Sequence, residues 1–194
     1  IPYVDMPNLV EGKTIRLMRN QDTEAMIGFD FGYTSRPCLP FCIQPMQLRP
    51  GVETIGELEM IKYLKKISEE DDNLMLIDSR TENWLNKGMI PGAVSIPWKK
   101  LHYGHTSQEV LMELLEFEFG VAMQNNFPNF ENAKTLIFYC NGNWCGQSPT
   151  SIRSLLMVGY PSHKLKWYRG GMQAWKMLGF VTVKPNGELI LEDE

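Results

Sequence analysis

Positive charge is in short supply in this chain. Its 19 Lys and Arg face 23 Asp and Glu, a formal net charge of -4 over 194 residues. Without a basic excess there is little to neutralise phosphates, which argues against a general nucleic-acid binder. Long apolar runs are also missing, and no stretch approaches the roughly 20 residues that a membrane-spanning helix needs. Cysteine is scarce: four residues are too few for a disulfide-built scaffold at this size. Internal repeats and low-complexity segments are absent. What remains is ordinary for a globular protein, 43% hydrophobic and 22% charged. The length suits one domain of about 100–200 residues with an appendage. The four cysteines fall into two groups, Cys38 with Cys42 and Cys140 with Cys145.

Residues 1–49 read as a mostly irregular extension, because Pro2, Pro7, Pro37, Pro40 and Pro45 break any long helix. Phe29, Phe31, Tyr33 and Phe41 imply that it wraps and packs onto the rest. From residue 50 the pattern becomes periodic. Thr54 and Glu57 form a capping-box pair before Leu58, Ile61, Leu64 and Ile67 at helical spacing. A short continuous apolar run at 74–78 predicts a buried strand, 93–97 a second short one, 136–139 a third, buried strand and 165–168 a fourth. Thr106 and Glu109 open a helix over Val110 to Phe117. Ser148 as N-cap and Pro149 as first residue predict another, running to Gly159. A third starts at Gly170-Gly171 and stops at Gly179, and a last strand covers 180–183. Met157, Met172 and Met177 fall in helix stripes and read as core. Residues 186–194 read as a polar tail.

Strands alternating with helices predict an α/β fold over residues 50–185: an open, mainly parallel sheet with helices on both faces. Ligands in such folds sit beyond the carboxyl ends of the strands. Asp78, Cys140 and Arg169 stand at such ends.

The segment Cys140-Asn141-Gly142-Asn143-Trp144-Cys145-Gly146-Gln147-Ser148 joins a predicted strand directly to a predicted helix. Free amides at a helix start favour a nearby negative charge, and a cysteine so placed has a depressed pKa. Gly142 and Gly146 let the loop curl its N–H groups around the sulfur. Cys140 is thus the candidate nucleophile, on account of its strand-end position. Cys145 is a resolving thiol, a rival nucleophile or a bystander. Trp144 walls the pocket, recognises a partner or is a plain hydrophobic lid. Cys38 and Cys42 read as a local disulfide, a second redox pair or half of a metal site. The last is the weakest, since His102, His105 and His163 form no compact ligand pattern with them. No metal and no cofactor is called for, and His102 and His105 read as surface or rim residues.

In order along the chain, Leu76-Ile77-Asp78-Ser79-Arg80, the segment Gly88 to Pro97, Leu136 to Cys140, Gly159-Tyr160 and Arg169 to Trp175 resemble a rhodanese-type sulfurtransferase domain. That resemblance implies a single-sheet α/β domain whose cysteine, here Cys140, takes up sulfane sulfur as a persulfide. It implies a donor such as thiosulfate, a polysulfide or a protein persulfide, and a thiol or cyanide acceptor. Residues 141–148 would form the persulfide cradle, and Asp78 with Arg80 an internal ion pair near the site. Three features depart from the family pattern. Met89 stands where a histidine is usual, the loop is about two residues longer, and no Arg or Lys lies between Asn141 and Gln147. A loop without a guanidinium is poorly equipped to grip a tetrahedral oxyanion, which argues against phosphatase chemistry and favours a polysulfide or persulfide donor over thiosulfate. Lys99, Lys100, Arg153 or Arg169 are the cations able to supply charge from outside the loop. The competing readings are a thiol–disulfide protein using Cys140 and Cys145, and an inert binding module. Ile1 in place of Met, the extension and the even cysteine count point to a bacterial periplasmic protein, with the cytoplasm as the alternative.

Overall fold

A computed structural model describes residues 4–7, 12, 14–33, 43–125 and 127–190. The chain begins with strands β1 (Val4–Pro7) and β2 (Thr14–Leu17), a short helix α1 (Phe29–Gly32), strand β3 (Glu53–Ile55) and helix α2 (Glu57–Ser68). Strands β4 (Leu74–Asp78) and β5 (Val94–Ser95) follow, then helix α3 (Gln108–Glu113). Next come strands β6 (Ala122–Gln124), β7 (Phe127–Asn129) and β8 (Thr135–Tyr139) and helix α4 (Gln147–Met157). Strand β9 (Leu165–Tyr168), helix α5 (Gly171–Met177) and strands β10 (Thr182–Val183) and β11 (Leu189–Ile190) complete the described chain.

Five strands form one sheet in the order β3-β9-β8-β4-β5, every neighbouring pair parallel. Alternation along the strands divides the core in two. Leu76, Ile137 and Tyr139 face a layer made by α2, α5 and the β1–β2 hairpin. Ile77, Leu136 and Phe138 face α3 and α4. Leu136, Ile137 and Phe138 are fully buried, and each such side chain contributes about 1.5–3 kcal/mol. An exposed ion pair is worth about 0–1 kcal/mol. Packing on both faces therefore holds β8, the strand that presents residue 140.

The sheet and its two helical layers match the expected architecture, and several local expectations need correction. Thr54 lies in β3, paired with β9, and its hydroxyl donates to the Met46 carbonyl. The capping box is two residues further on, where the Glu59 carboxylate accepts from the Gly56 N–H at 3.1 Å. Leu58 then falls on the exposed side of α2. Helix α4 starts at Gln147 after Gly146, so Ser148 is not its cap. Helix α3 is capped by Ser107, which accepts from Val110 N–H, and widens into a π-helical turn over Leu114–Glu118. Met172 is buried, whereas Met157 and Met177 are exposed. The extension, read as mostly irregular, contains the antiparallel β1–β2 hairpin, whose Met6, Ile15 and Leu17 are buried in the first core layer. The last strand shortens to β10 and stays outside the main sheet. It pairs with β11, formed from the stretch read as a polar tail, and bridges to Met89. Met89 itself is buried, a packing role. Among the described residues no helix is long and apolar enough to cross a membrane.

Candidate active site

Strand β8 ends at Tyr139 and delivers Cys140 to the carboxyl edge of the sheet, in front of α4. The intervening loop is fixed by backbone hydrogen bonds. The N–H groups of Met172 and Gln173, in the first turn of α5, donate to the Cys140 and Asn141 carbonyls, both at 2.9 Å. Cys145 N–H closes a turn onto the Gly142 carbonyl at 2.9 Å. Gly171 makes the approach of α5 possible. Its φ is +57°, and a Cβ there would overlap the Cys140 carbonyl oxygen and lie 2.7 Å from the Gly142 nitrogen. Gly171→Ala is expected to lower stability by about 1–3 kcal/mol through overpacking. Displacing the loop should also slow alkylation of Cys140 by about 100-fold. Thermal melting and iodoacetamide kinetics measure the two effects. An alanine variant that matches the parent in both would show that the close approach is dispensable.

Cys140 and Cys145 are both buried and neither is in a disulfide. Burial works against a thiolate at Cys140. Hydrogen bonds from the Cys145 thiol, the Ser148 hydroxyl and the N–H groups of Ser148 and Asn141 outweigh it, and bring Cys140 down to about 7. Cys145 moves the opposite way, far above the thiol range, first because its thiol is hydrogen-bonded to Cys140 and then through burial. Just above neutral pH, Cys140 carries the charge and Cys145 keeps the proton.

Ser148 is freed from capping because it belongs to a hydroxyl chain. Its Oγ lies 2.7 Å from the Oγ of Ser79, which donates to the Tyr139 carbonyl at 2.9 Å. Ser79 did not stand out in the sequence, although it follows Asp78 at the end of β4. Beneath it lies a buried ion pair, as expected from the sequence. The Arg80 guanidinium donates to both Asp78 oxygens, at 2.8 and 3.1 Å from Nε and 2.5 Å from Nη2, and Nη2 also reaches the Gly88 carbonyl at 2.6 Å. Tyr139 donates its hydroxyl to Asp78 at 2.8 Å. Burial disfavours the Arg80 charge, but Asp78, Tyr139 and Cys140 raise its pKa in the balance. The pair thus ties the ends of β4 and β8 together directly behind the cysteine.

The loop's outer side is held by the extension. Arg169, at the end of β9, turns Nε and Nη2 to the Gln44 carbonyl at 3.1 and 2.8 Å, and Gln44 N–H donates to the Asn143 carbonyl at 2.9 Å. Trp144 Nε1 donates to the Gln173 side chain at 3.0 Å, and Gln173 Nε2 reaches the carbonyls of Phe31 and Tyr33. Gln44 carries no sequence signal and Gln173 only its place in the Arg169 to Trp175 segment, since both act across long separations. The side-chain oxygens of Asn141 and Gln147 are buried and meet no hydrogen-bond donor among the described residues. His102 and His105 join Trp98 in a ring cluster, with centroids 5.6 and 5.0 Å from the indole. His163 sits in a short turn over Ser162–Lys164. Among the described residues no three His, Cys, Asp or Glu side chains group as metal ligands. Lys99 and Lys100 are exposed, and Arg153 is partly buried near Arg49. Cys38 and Cys42, with every expectation attached to them, lie outside the described residues.

The family model of the rhodanese-like domain matches residues 60–178. Among solved structures, a human single-domain sulfurtransferase is 18% identical with a TM-score of 0.40, over 64% of this chain and 96% of that one. An As-Sb reductase from Leishmania major is 18% identical with a TM-score of 0.48, over 71% and 92%. A thiosulfate sulfurtransferase from Pseudomonas aeruginosa is 17% identical with a TM-score of 0.45, over 69% of this chain and 20% of that one. No curated protein matches the chain.

Proposed function

The chain belongs to the rhodanese-like domain family, and from that premise we propose that it is a sulfurtransferase working through a persulfide on Cys140. The observation that carries this reading is the buried Cys140 thiol at the end of β8, lowered to about 7 by the donors around it. In the first step the Cys140 thiolate attacks the sulfane sulfur of a donor, whose remaining sulfur leaves with the bonding electron pair. The new terminal sulfur carries the negative charge, and the N–H groups of Asn141 and Ser148 and the Ser148 hydroxyl are the donors available to it. In the second step a thiolate or cyanide attacks that outer sulfur and restores the Cys140 thiolate.

Charge in the site favours one class of donor. Between Asn141 and Gln147 there is no Arg or Lys, and Arg169 directs two of its N–H groups to Gln44. A sulfonate therefore finds no bidentate partner in the loop, whereas a polysulfide or a protein persulfide needs none. Cys145 stays protonated and acts on Cys140 as a hydrogen-bond donor. The partners of the reaction are then a small sulfane-sulfur compound or a protein persulfide, and a thiol.

Sulfur labelling tests this directly. Trypsin cuts after Lys134 and Arg153, so one peptide holds Cys140 and Cys145 and neither of the other cysteines. After polysulfide treatment that peptide is expected to gain one sulfur atom, located on Cys140 by fragmentation, with a lower yield from thiosulfate. A peptide that gains no sulfur from either donor would rule out the assignment.

A further inference from the structure

We propose that Cys145 is a built-in acceptor for the sulfur on Cys140: it attacks the inner sulfur of the persulfide, expels sulfide and leaves a Cys140–Cys145 disulfide. This rests on the persulfide reading above and adds a second activity to it, the reduction of sulfane sulfur to sulfide.

Position is the first argument. The two thiols lie on one loop, both buried and both unbonded. The Cys140 Sγ donates to the Cys145 carbonyl oxygen at 3.5 Å, so the sulfur of one residue lies against the backbone of the other, and the two thiols are hydrogen-bond partners. Cys145 is held there. Its N–H is bonded to Gly142, the preceding Asn143 carbonyl to Gln44 and the Trp144 indole to Gln173. A nucleophile fixed beside its target reacts at a high effective concentration. An external thiol, by contrast, must reach the sulfur of a residue that is 2% exposed in the resting site.

Chemistry is the second argument. With Cys140 as a free thiolate, the proton on Cys145 has a partner and stays put. Once Cys140 carries a second sulfur, the negative charge moves outward by one atom and the inner sulfur becomes electrophilic. The bond between the Cys145 and Cys140 sulfurs then forms as the bond to the outer sulfur breaks. The electron pair and the Cys145 proton leave with the outer sulfur as HS⁻. Two thiol sulfurs are oxidised to a disulfide, and one sulfane sulfur is reduced to sulfide. Reopening the disulfide for another turnover takes an external dithiol. A side chain that only donated a hydrogen bond to Cys140 would serve as well as serine, and this separates the proposal from a purely supporting role.

The test starts from protein loaded with polysulfide under anaerobic conditions and freed of excess donor. Without added thiol, the parent chain is expected to release sulfide in equimolar amount. Its peptide 135–153 should pass from one sulfur heavier to two hydrogens lighter than the reduced form. In Cys145→Ser the same peptide should remain one sulfur heavier, with sulfide appearing only on addition of a dithiol. If the parent holds its extra sulfur as long as Cys145→Ser does, the proposal fails and sulfur transfer through Cys140 stands. If no chain takes up sulfur, the persulfide reading fails and this one with it. Should Cys145→Ser not fold by circular dichroism, the parent alone decides: sulfide and loop disulfide appear in equal amounts, or the proposal is wrong.

Discussion

Cys140→Ser is expected to abolish sulfur loading of peptide 135–153 and to cut transfer to cyanide or a thiol by about 1,000-fold or more. The substitution exchanges sulfur for oxygen in a buried site and keeps every neighbour in place. The donors that hold the thiol at about 7 cannot bring an aliphatic hydroxyl into the neutral range, so no anion forms. Turnover retained in Cys140→Ser would remove Cys140 from the reaction and leave Cys145 as the nucleophile. The same thiolate sets a pH signature. In the parent, alkylation of Cys140 should rise through about pH 7 and level off above it. Its pKa is lowered on folding from the ordinary 9.0. The thiolate therefore adds stability that is fully present above pH 9 and is lost as pH falls through about 7. The stability difference between the parent and Cys140→Ser should grow over that window, measured by urea unfolding at several pH values.

Asp78→Ala is expected to destabilise the protein by about 3–5 kcal/mol, because it strands a buried charge. Arg80 is fully buried, and its Nη1 already has no hydrogen-bond partner among the described residues. Without Asp78, its Nε and Nη2 lose their carboxylate and the Tyr139 hydroxyl loses its acceptor. At about 2–4 °C per kcal/mol for a chain of this size, the melting temperature should fall by about 10 °C. Removing both charges with Asp78→Ala and Arg80→Met should cost less than removing Asp78 alone, since no charge is then left unpaired. A drop below about 1 kcal/mol in the single variant would mean that water reaches the guanidinium. The pair would then not be what joins β4 to β8.

The parts of this protein that were legible in its sequence are those whose physics is local. Strands β4 and β8 carry continuous apolar runs, residues 74–77 and 136–139, because both their faces are covered, and the cysteine at the end of one of them follows from that. Edge strand β3, Glu53–Ile55, is three residues long and half exposed, so its pattern says nothing, and Thr54 passed for a helix cap. The β1–β2 hairpin does alternate, with Val4, Met6, Ile15 and Leu17 inward, but Pro2 before β1 and Pro7 at its end obscured it. Ser148 looked like a cap because the hydroxyl that claims it, on Ser79, lies 69 residues away. Met157 and Met177 fit a helical stripe and still face solvent, because a stripe has two margins and only packing decides which one is covered. Within the site, Cys140, Cys145 and the Asp78–Arg80 pair were legible. The roles of Gln44 and Gln173 were not, because an amide side chain has no positional pattern until its partners are known.

The contacts from the extension to the cysteine loop bear on how much of the chain the loop depends on. The family match begins at residue 60, whereas Phe31, Tyr33 and Gln44 hold Gln173, Arg169 and Asn143. A fragment trimmed to the matched segment would keep both thiols and lose the lashings of their loop. The contacts that hold the cysteine loop therefore reach beyond the segment that the family model matches. A change at Phe31, Tyr33 or Gln44 would reach the loop of Cys140 and Cys145 through Gln173, Arg169 and Asn143, with the five-stranded sheet left as it is.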